Sequence, residues 1–190
     1  MDCGQSFRGW MRGVVFSPLP LDMGEGEGGR ERTCKNGISG NARNHGGFME
    51  GFEGGYEFFE VTADEGLRAW GRSMGEAFVN AARGMFDLVV DSSGLCPVES
   101  RRIQVEGRDR EALLVAWLSE LLYRFEVEAF VPVEYEIVNL GDRQLEAKVR
   151  GDILDPTRHS VKGLIKAATY HLLEVKETGG RWQVQVVLDV

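Results

Sequence analysis

The sequence lacks three features that would place it in a large class of proteins. No run of about 18 apolar residues occurs, so no membrane-spanning helix is predicted. The three cysteines, Cys3, Cys34 and Cys96, are odd in number and widely spaced, which indicates neither a disulfide framework nor a zinc site and favours a cytoplasmic protein. Basic residues are in deficit, with 22 Lys and Arg against 30 Asp and Glu and a formal net charge of −8. This charge argues against general electrostatic binding of nucleic acid, which requires a basic surface.

Common catalytic motifs are also missing. The sequence has no Gly-x-Ser-x-Gly, no His-Glu-x-x-His and no Gly-x-x-x-x-Gly-Lys-Ser/Thr phosphate loop. It has only three histidines, His45, His159 and His171. Nucleophilic catalysis and nucleotide binding by a phosphate loop therefore have little support.

Composition divides the chain near residue 55. Residues 1–55 hold 14 of the 25 glycines and show neither helical nor strand periodicity, so we predict a largely flexible N-terminal extension. The apolar stretch from Phe7 to Phe16 leaves a secretory signal or a docking peptide open as alternatives. Met49 directly precedes the first patterned segment, which leaves a start site there open as well. The patterned region, residues 56–190, is predicted to form one domain.

Two helices are predicted from capping signals and apolar spacing. Ser73-x-x-Glu76 is a capping box, and the apolar residues after it repeat at i, i+3, i+4 and i+7. Asp109 precedes the strongest apolar stripe in the chain and is its predicted N-cap. That stripe comprises Leu113, Leu114, Trp117, Leu118, Leu121, Leu122 and Phe125. We interpret it as a core-facing helix surface rather than a cofactor-binding box.

Alternating apolar residues predict strands in the rest of the domain. These strands cover residues 56–61, 66–71, 101–106, 130–139 and 145–150. Thr178-Gly179-Gly180 predicts a tight turn that joins 165–176 to 181–189 as a hairpin. Short turns between strands favour antiparallel pairing. The predicted class is therefore α+β, with mainly antiparallel sheet and two principal helices in a single compact domain.

Acidic residues at strand ends are the best candidates for a ligand site. Asp64 follows the first strand, Asp152 and Asp155 share a loop, and Asp189 is the penultimate residue, before Val190 with its terminal carboxylate. Carboxylate and carbonyl oxygens are the ligands of hard divalent cations. Spacing alone does not bring Asp64 to Asp189, and each aspartate taken singly is better interpreted as a turn residue or a solvated charge.

Three motifs in the right order resemble the archease family. They are Tyr56-Glu57-x-x-Glu60-x-Thr62-Ala63-Asp64 followed by Ala69-Trp70-Gly71, then Lys166-Ala167-Ala168-Thr169-Tyr170-His171, and last Val187-Leu188-Asp189-Val190. The resemblance covers about residues 56–190, and the Trp117-to-Leu122 helix fits its middle. It implies a small acidic α+β protein that assists the GTP-dependent RNA ligase of tRNA splicing, promoting guanylylation and multiple turnover. Such a protein is an activator and not an enzyme, contacts RNA only indirectly, and needs no membrane; a homo-oligomer is left open.

The resemblance also implies a metal site, with calcium as the expected ion. Asp64 and Asp189 take the positions of the family's metal ligands, and Val190 would add a backbone or terminal oxygen. The chain departs from the family pattern at Val61, where a histidine is usual, and at Asp152, where a glutamate is usual. Residues at other commonly seen positions are predicted more weakly as an interface or supporting shell: Asp152, Asp155, His159, Lys166, Tyr170 and His171.

Two functions of other classes remain as alternatives. One is a general protein chaperone or interaction module with a structural calcium ion. The other is a metal-dependent hydrolase built on Asp64, Asp152, Asp155 and Asp189, with His159 as the base. An exposed apolar patch away from Asp64 would favour the chaperone, whereas nucleotide turnover by the isolated protein would favour the hydrolase.

Overall fold

The computed structural model describes residues 54–190, and almost all of the predicted extension, 1–55, lies outside the described residues. Seven strands and two helices follow in the order β1, β2, α1, β3, α2, β4, β5, β6, β7. The strands are β1 Gly55–Val61, β2 Asp64–Gly71, β3 Glu99–Glu106, β4 Phe130–Leu140, β5 Gln144–Ile153, β6 Ala167–Thr178 and β7 Arg181–Asp189. The helices are α1 Met74–Val89 and α2 Arg110–Glu128.

The strands form two antiparallel sheets. The first has the order β1-β2-β7-β6 and the second the order β3-β5-β4. In the first sheet, β7 inserts between β2 and β6, so the last strand of the domain lies beside one of its first two. The predicted hairpin closes through Gly179 and Gly180, which have φ of 61° and 77°. Positive φ at both positions is what a type I′ turn requires, and glycine adopts it without steric cost.

Helix α1 begins and packs as its sequence predicts. Ser73 is the N-cap, and its Oγ accepts the backbone N–H of Glu76 at 3.1 Å. The Glu76 carboxylate accepts the backbone N–H of Arg72 rather than that of Ser73, so the capping box is shifted by one residue. Gly84 lies within the helix, where a Cβ would come within 2.6 Å of Leu67 on β2. This glycine allows a close approach between α1 and the first sheet.

Helix α2 supplies the centre of the core. Asp109 caps it, with Oδ1 accepting the backbone N–H of Ala112 at 2.7 Å. Every residue of the predicted apolar stripe is buried, and Trp117 is completely so. The Trp117 indole N–H donates to the carbonyl of Phe78 at 3.2 Å, which joins the two helices at the point where both meet the sheets.

The predicted fold class is confirmed: two helices and antiparallel sheets in one compact domain. The predicted strand starts differ from the observed ones by at most two residues; β2 begins at Asp64 and β3 at Glu99. Neither α1 nor α2 is long and apolar enough to cross a membrane, and they are the only long helices in residues 54–190.

Candidate functional site

The pairing of β2 with β7 places Asp64 beside Asp189. A two-residue turn precedes β2, with Ala63 at φ 67°, and Asp64 is the first residue of the strand. Glu65 pairs with Leu188, so one further step along the same register sets Asp64 opposite Asp189. Directly opposed residues on antiparallel strands project from the same face of a sheet. Two residues that are 125 positions apart in sequence therefore share one end of the first sheet.

The two carboxylates have few protein partners. Among residues 54–190, nothing donates a hydrogen bond to the Asp64 side chain or forms an ion pair with it. Lys166 Nζ lies 3.5 Å from Oδ1 of Asp189 and donates to the backbone oxygen of Val190 at 2.8 Å. The Lys166 backbone N–H also donates to the backbone oxygen of Asp189 at 2.8 Å.

The donor chemistry at this end fits a hard divalent cation in part. Asp64, Asp189 and the backbone oxygen of Val190 are all hard oxygen ligands, and like charges directly opposite each other are unfavourable without a cation. Lys166 supplies a positive charge at Asp189 and at the Val190 oxygen. However, residues 54–190 contain no cluster of three or more His, Cys, Asp or Glu that is suited to a metal. The remaining positions of a calcium ion, which takes six to eight oxygens, would go to water or to a partner.

An apolar floor lies beside the aspartate pair on the same face of the sheet. Gly66 and Val187 form the next pair on this face, two residues along each strand, and Val187 is completely buried. A Cβ on Gly66 would come within 2.4 Å of the Phe59 ring, so glycine lets that ring lie across β2. The Arg68 guanidinium covers the ring, 5.2 Å from its centroid. This apolar floor therefore borders the aspartate pair on one side, two residues along each strand.

Asp152 belongs to a different environment, in the second sheet. It is 6% exposed, and its two oxygens accept the backbone N–H groups of Cys96 and Ile153, each at 2.9 Å. Arg158 and His159 approach Oδ2 to 3.5 and 3.8 Å. Both oxygens of the carboxylate therefore accept hydrogen bonds, and the one from Cys96 links the segment before β3 to the end of β5.

Asp155 and His159 form a local turn next to Asp152. Oδ1 of Asp155 accepts the hydroxyl and the backbone N–H of Thr157 at 2.7 and 2.9 Å, and these hydrogen bonds hold the pKa of Asp155 below its usual value. Nδ1 of His159 accepts the backbone N–H of Asp155 at 3.1 Å, and His159 is 4% exposed. Nε2 of His159 lies 3.1 Å from the Arg158 guanidinium and 3.8 Å from Oδ2 of Asp152. No hydrogen bond or ion pair between described residues links this group to Asp64 or Asp189.

Tyr170 and His171 lie in a bulge of β6. Thr169 pairs with Val187 and Glu174 pairs with Gln185, so the four residues 170–173 stand opposite a single residue of β7. Within the bulge, Leu172 has φ 51° and accepts a hydrogen bond from Nε2 of Gln185 at 3.0 Å. Tyr170 and Leu172 are 58% and 52% exposed. The fold thus holds two apolar side chains in solvent.

Comparison with known proteins identifies the family. The sequence profile of the Archease protein family matches residues 56–190. The chain is 36% identical over 137 residues to Protein archease of Sulfurisphaera tokodaii, covering 71% of this chain and 98% of that protein. It is 37% identical over 139 residues to Protein archease of Methanosarcina mazei, covering 71% and 95%. The chain belongs to the archease family.

Two solved structures agree with this assignment. The solution structure of Methanobacterium thermoautotrophicum protein 1598 has a TM-score of 0.61 and 33% identity, covering 72% of this chain and 99% of that one. The crystal structure of a Thermotoga maritima archease, named a possible chaperone, has a TM-score of 0.50 and 19% identity, covering 77% and 100%. At that identity the second comparison supports the fold alone.

Against the archease pattern, Val61 is the main departure at this end of the sheet. Val61 pairs with Asp64 across the first hairpin, in the position where the family resemblance led us to expect histidine. Valine offers no ligand atom and no hydrogen-bond donor. Any ion held at this end would therefore depend on oxygen atoms, without a nitrogen ligand from this position.

The apolar floor was not predicted from the sequence. Its signal was Gly66, a glycine within a strand pattern, which often marks a close approach of another group. The approaching group is Phe59, seven residues earlier and on the other strand of the hairpin.

Proposed function

We propose that this archease domain is a metal-binding accessory protein that activates the GTP-dependent RNA ligase of tRNA splicing, promoting its guanylylation and multiple turnover. Membership of the archease family supports a helper protein, and a family member from Thermotoga maritima is named a possible chaperone. The observation that carries the proposal is the Asp64–Asp189 pair, two opposed carboxylates at one end of the first sheet, of which Asp64 has no protein partner among the described residues and Asp189 has only Lys166. The net charge of −8 supports contact with the ligase rather than with RNA itself.

In this proposal Asp64, Asp189 and the Val190 oxygen hold a calcium ion. A bound divalent cation would supply concentrated positive charge next to phosphate or carboxylate groups of the partner. The chain's own residues do the rest: pairing of β2 with β7 sets the two carboxylates opposite each other, and the buried Val187 lies two residues before Asp189 on the same face. The ligase carries out the chemistry, and the archease domain stabilises the arrangement in which the ligase accepts GMP.

The bulge of β6 provides the second part of the proposed partner surface. Tyr170 begins the bulge only three residues after Ala167, the β6 residue that pairs with Asp189. It lines an open groove of about 540 Å³ with Arg108, Ala112 and Val115. Tyrosine is among the residue types that dominate the binding energy of protein interfaces. We therefore place the aspartate pair and the bulge in the same contact with the ligase.

Guanylylation of the cognate RNA ligase by GTP tests this proposal. The assay uses limiting amounts of the full chain, as wild type, Asp64→Asn and Asp142→Asn. Asp142 is the matched control, because its side chain is 67% exposed and pairs with Arg110, on elements other than β2 and β7. Wild type and Asp142→Asn should stimulate the ligase and Asp64→Asn should not. Equal stimulation by all three would remove the metal site from the mechanism, and no stimulation by any would refute the activator function.

The exposed apolar side chains give one observation in favour of the chaperone alternative. Tyr123 and Val127, one turn apart on α2, are 52% and 55% exposed, away from the first sheet's aspartate pair. Suppression of aggregation of unrelated proteins, independent of calcium, would support that function. No comparable observation favours the hydrolase, because Asp152 and His159 are buried and hydrogen-bonded in another part of the fold.

A further inference from the structure

Lys166 is placed so that its ammonium group contacts two of the three predicted metal-ligand residues. Its Nζ donates to the backbone oxygen of Val190 at 2.8 Å and lies 3.5 Å from Oδ1 of Asp189. The lysine is also fixed at its backbone, whose N–H donates to the backbone oxygen of Asp189. Asp189 is thus held by Lys166 through both main chain and side chain.

The position of Lys166 follows from the sheet. Ala167, the next residue, pairs with Asp189 across β6 and β7, so Lys166 enters the sheet beside the end of β7. Its side chain is 61% exposed and that of Asp189 is 46% exposed. A lysine at this exposure is free to leave its partners, because surface ion pairs contribute little net stability.

We infer that Lys166 is the resident counter-ion of Asp189 and the Val190 oxygen, and that a divalent cation must displace its ammonium group in order to bind beside Asp64. This inference rests on the proposed metal site and adds a residue that sets its affinity. A cation at the Val190 oxygen and Asp189 would otherwise lie within about 4 Å of a like charge. The repulsion between a single and a double charge at this distance, even in water, is enough to change an affinity about tenfold.

Without metal, Lys166 offsets part of the negative charge at this end of the sheet. Two opposed carboxylates would otherwise repel each other in the absence of metal. With Lys166 present, the end of the sheet carries a positive charge in both states, an ammonium group without calcium and the ion with it. Lys166 thereby keeps calcium binding weak and exchangeable.

Calcium titration calorimetry on the full chain at low ionic strength tests the inference. The variants are Lys166→Met, which keeps the length of the side chain, Lys166→Arg, which keeps the charge, and Lys176→Met. Lys176→Met is the matched control, because Lys176 lies on β6 and forms an ion pair with Glu174 at 2.7 Å. The substitution removes the same charge away from the aspartate pair. Asp64→Asn is included to test the site itself.

The expected result is an affinity for calcium about ten times higher in Lys166→Met, because the competing charge is gone. Lys166→Arg and Lys176→Met should stay within about threefold of wild type, and the gain in Lys166→Met should shrink as salt is added. Unchanged or weaker calcium binding by Lys166→Met would overturn the counter-ion role while leaving the metal site intact. An equal gain in Lys176→Met would overturn it too, because net charge would then explain the effect. Calcium binding unaffected by Asp64→Asn would refute the proposed metal site itself, and the inference with it.

Discussion

Asp64 and Asp152 are both aspartates next to the end of a strand, yet their surroundings are opposite. The Asp152 carboxylate is buried and accepts two backbone N–H groups, with Arg158 and His159 close by. The Asp64 carboxylate is half-exposed, and no described residue donates a hydrogen bond to it or forms an ion pair with it. One carboxylate is used up by the fold and the other is left available.

This difference separates a structural acid from a candidate ligand. A buried carboxylate must have its oxygens satisfied by the protein, because an unsatisfied charge in the interior is very costly. A carboxylate at the surface has no such requirement, so missing partners there are no burden on the fold. The number of protein partners of the carboxylate, rather than its position next to a strand, therefore distinguishes Asp152 from Asp64.

Replacing Asp152 should have the largest effect on stability. Asp152→Ala leaves the Cys96 and Ile153 N–H groups without their acceptor, and we expect a loss of about 2–4 kcal/mol in the free energy of unfolding. Urea denaturation of the full chain measures it. The control Asp142→Ala removes an exposed aspartate and should change stability by less than about 0.5 kcal/mol. Equal effects of the two substitutions would mean that Asp152 is not a structural acid.

Replacing Asp189 should change the stability of the domain only when calcium is present. Without calcium, Asp189→Asn removes one of two opposed carboxylates and one partner of Lys166, so the net change should stay within about 0.5 kcal/mol. With calcium at a hundredfold excess over its dissociation constant, wild type should gain about 2.7 kcal/mol and the variant should not. Thermal unfolding with and without calcium measures both. A large loss in the metal-free variant would make Asp189 a structural acid like Asp152.

The elements of this fold were predictable where the signals are local. Ser73 and Asp109 cap helices through atoms within three residues, and Gly179-Gly180 defines its turn alone. The division into two sheets was not predicted, because strand order depends on pairings such as β2 with β7 that no local pattern encodes. The bulge at 170–173 was missed for a related reason: its register is set by the facing strand β7.

The site divides in the same way. The approach of Asp64 to Asp189 was expected only from the family resemblance, since no spacing rule joins residues so far apart. The saturation of Asp152 was not predicted, because its main partner, Cys96, lies 56 positions earlier in the sequence. Roles for Asp64, Asp189 and Val190 in metal binding, and for Tyr170 and His171 in an interface, remain predictions, as does the cytoplasmic location.

A smaller effect, on binding to the ligase, is expected at the β6 bulge of residues 170–173. Tyr170→Ala should weaken binding to the ligase by about 1–2 kcal/mol and leave stability almost unchanged, because the side chain is largely exposed. The matched control is Tyr123→Ala, a tyrosine of similar exposure on α2. Surface plasmon resonance with the immobilised ligase measures the binding. If Tyr123→Ala has the larger effect, the partner binds α2 and not the aspartate end.

The smallest effect on stability is expected from the titration of Asp155, which lies in the turn next to Asp152. Hydrogen bonds from Thr157 lower the pKa of Asp155 in the folded state, so the stability they contribute is present above the unfolded pKa. It is lost as the pH falls through the folded pKa, because the protonated acid is a poorer acceptor. Thr157→Ala removes the hydroxyl donor, so the pKa of Asp155 should rise, which a carbon-detected NMR titration measures. The stability difference from wild type should be greatest near neutral pH and decrease below about pH 4.

Thr62→Ala, two residues before Asp64, is the control for this experiment. Thr62 lies two residues before Asp64, as Thr157 lies two residues after Asp155, but no hydrogen bond joins it to a described carboxylate. Its substitution should shift stability by an amount that does not change with pH. Because Thr62 and Thr157 are both threonines in turns, a pH-dependent difference at Thr157 alone would trace the effect to the occupied carboxylate. The same pH dependence at Thr62 would mean that Asp64 also has a hydrogen-bonding partner, and the contrast between the two ends would fail.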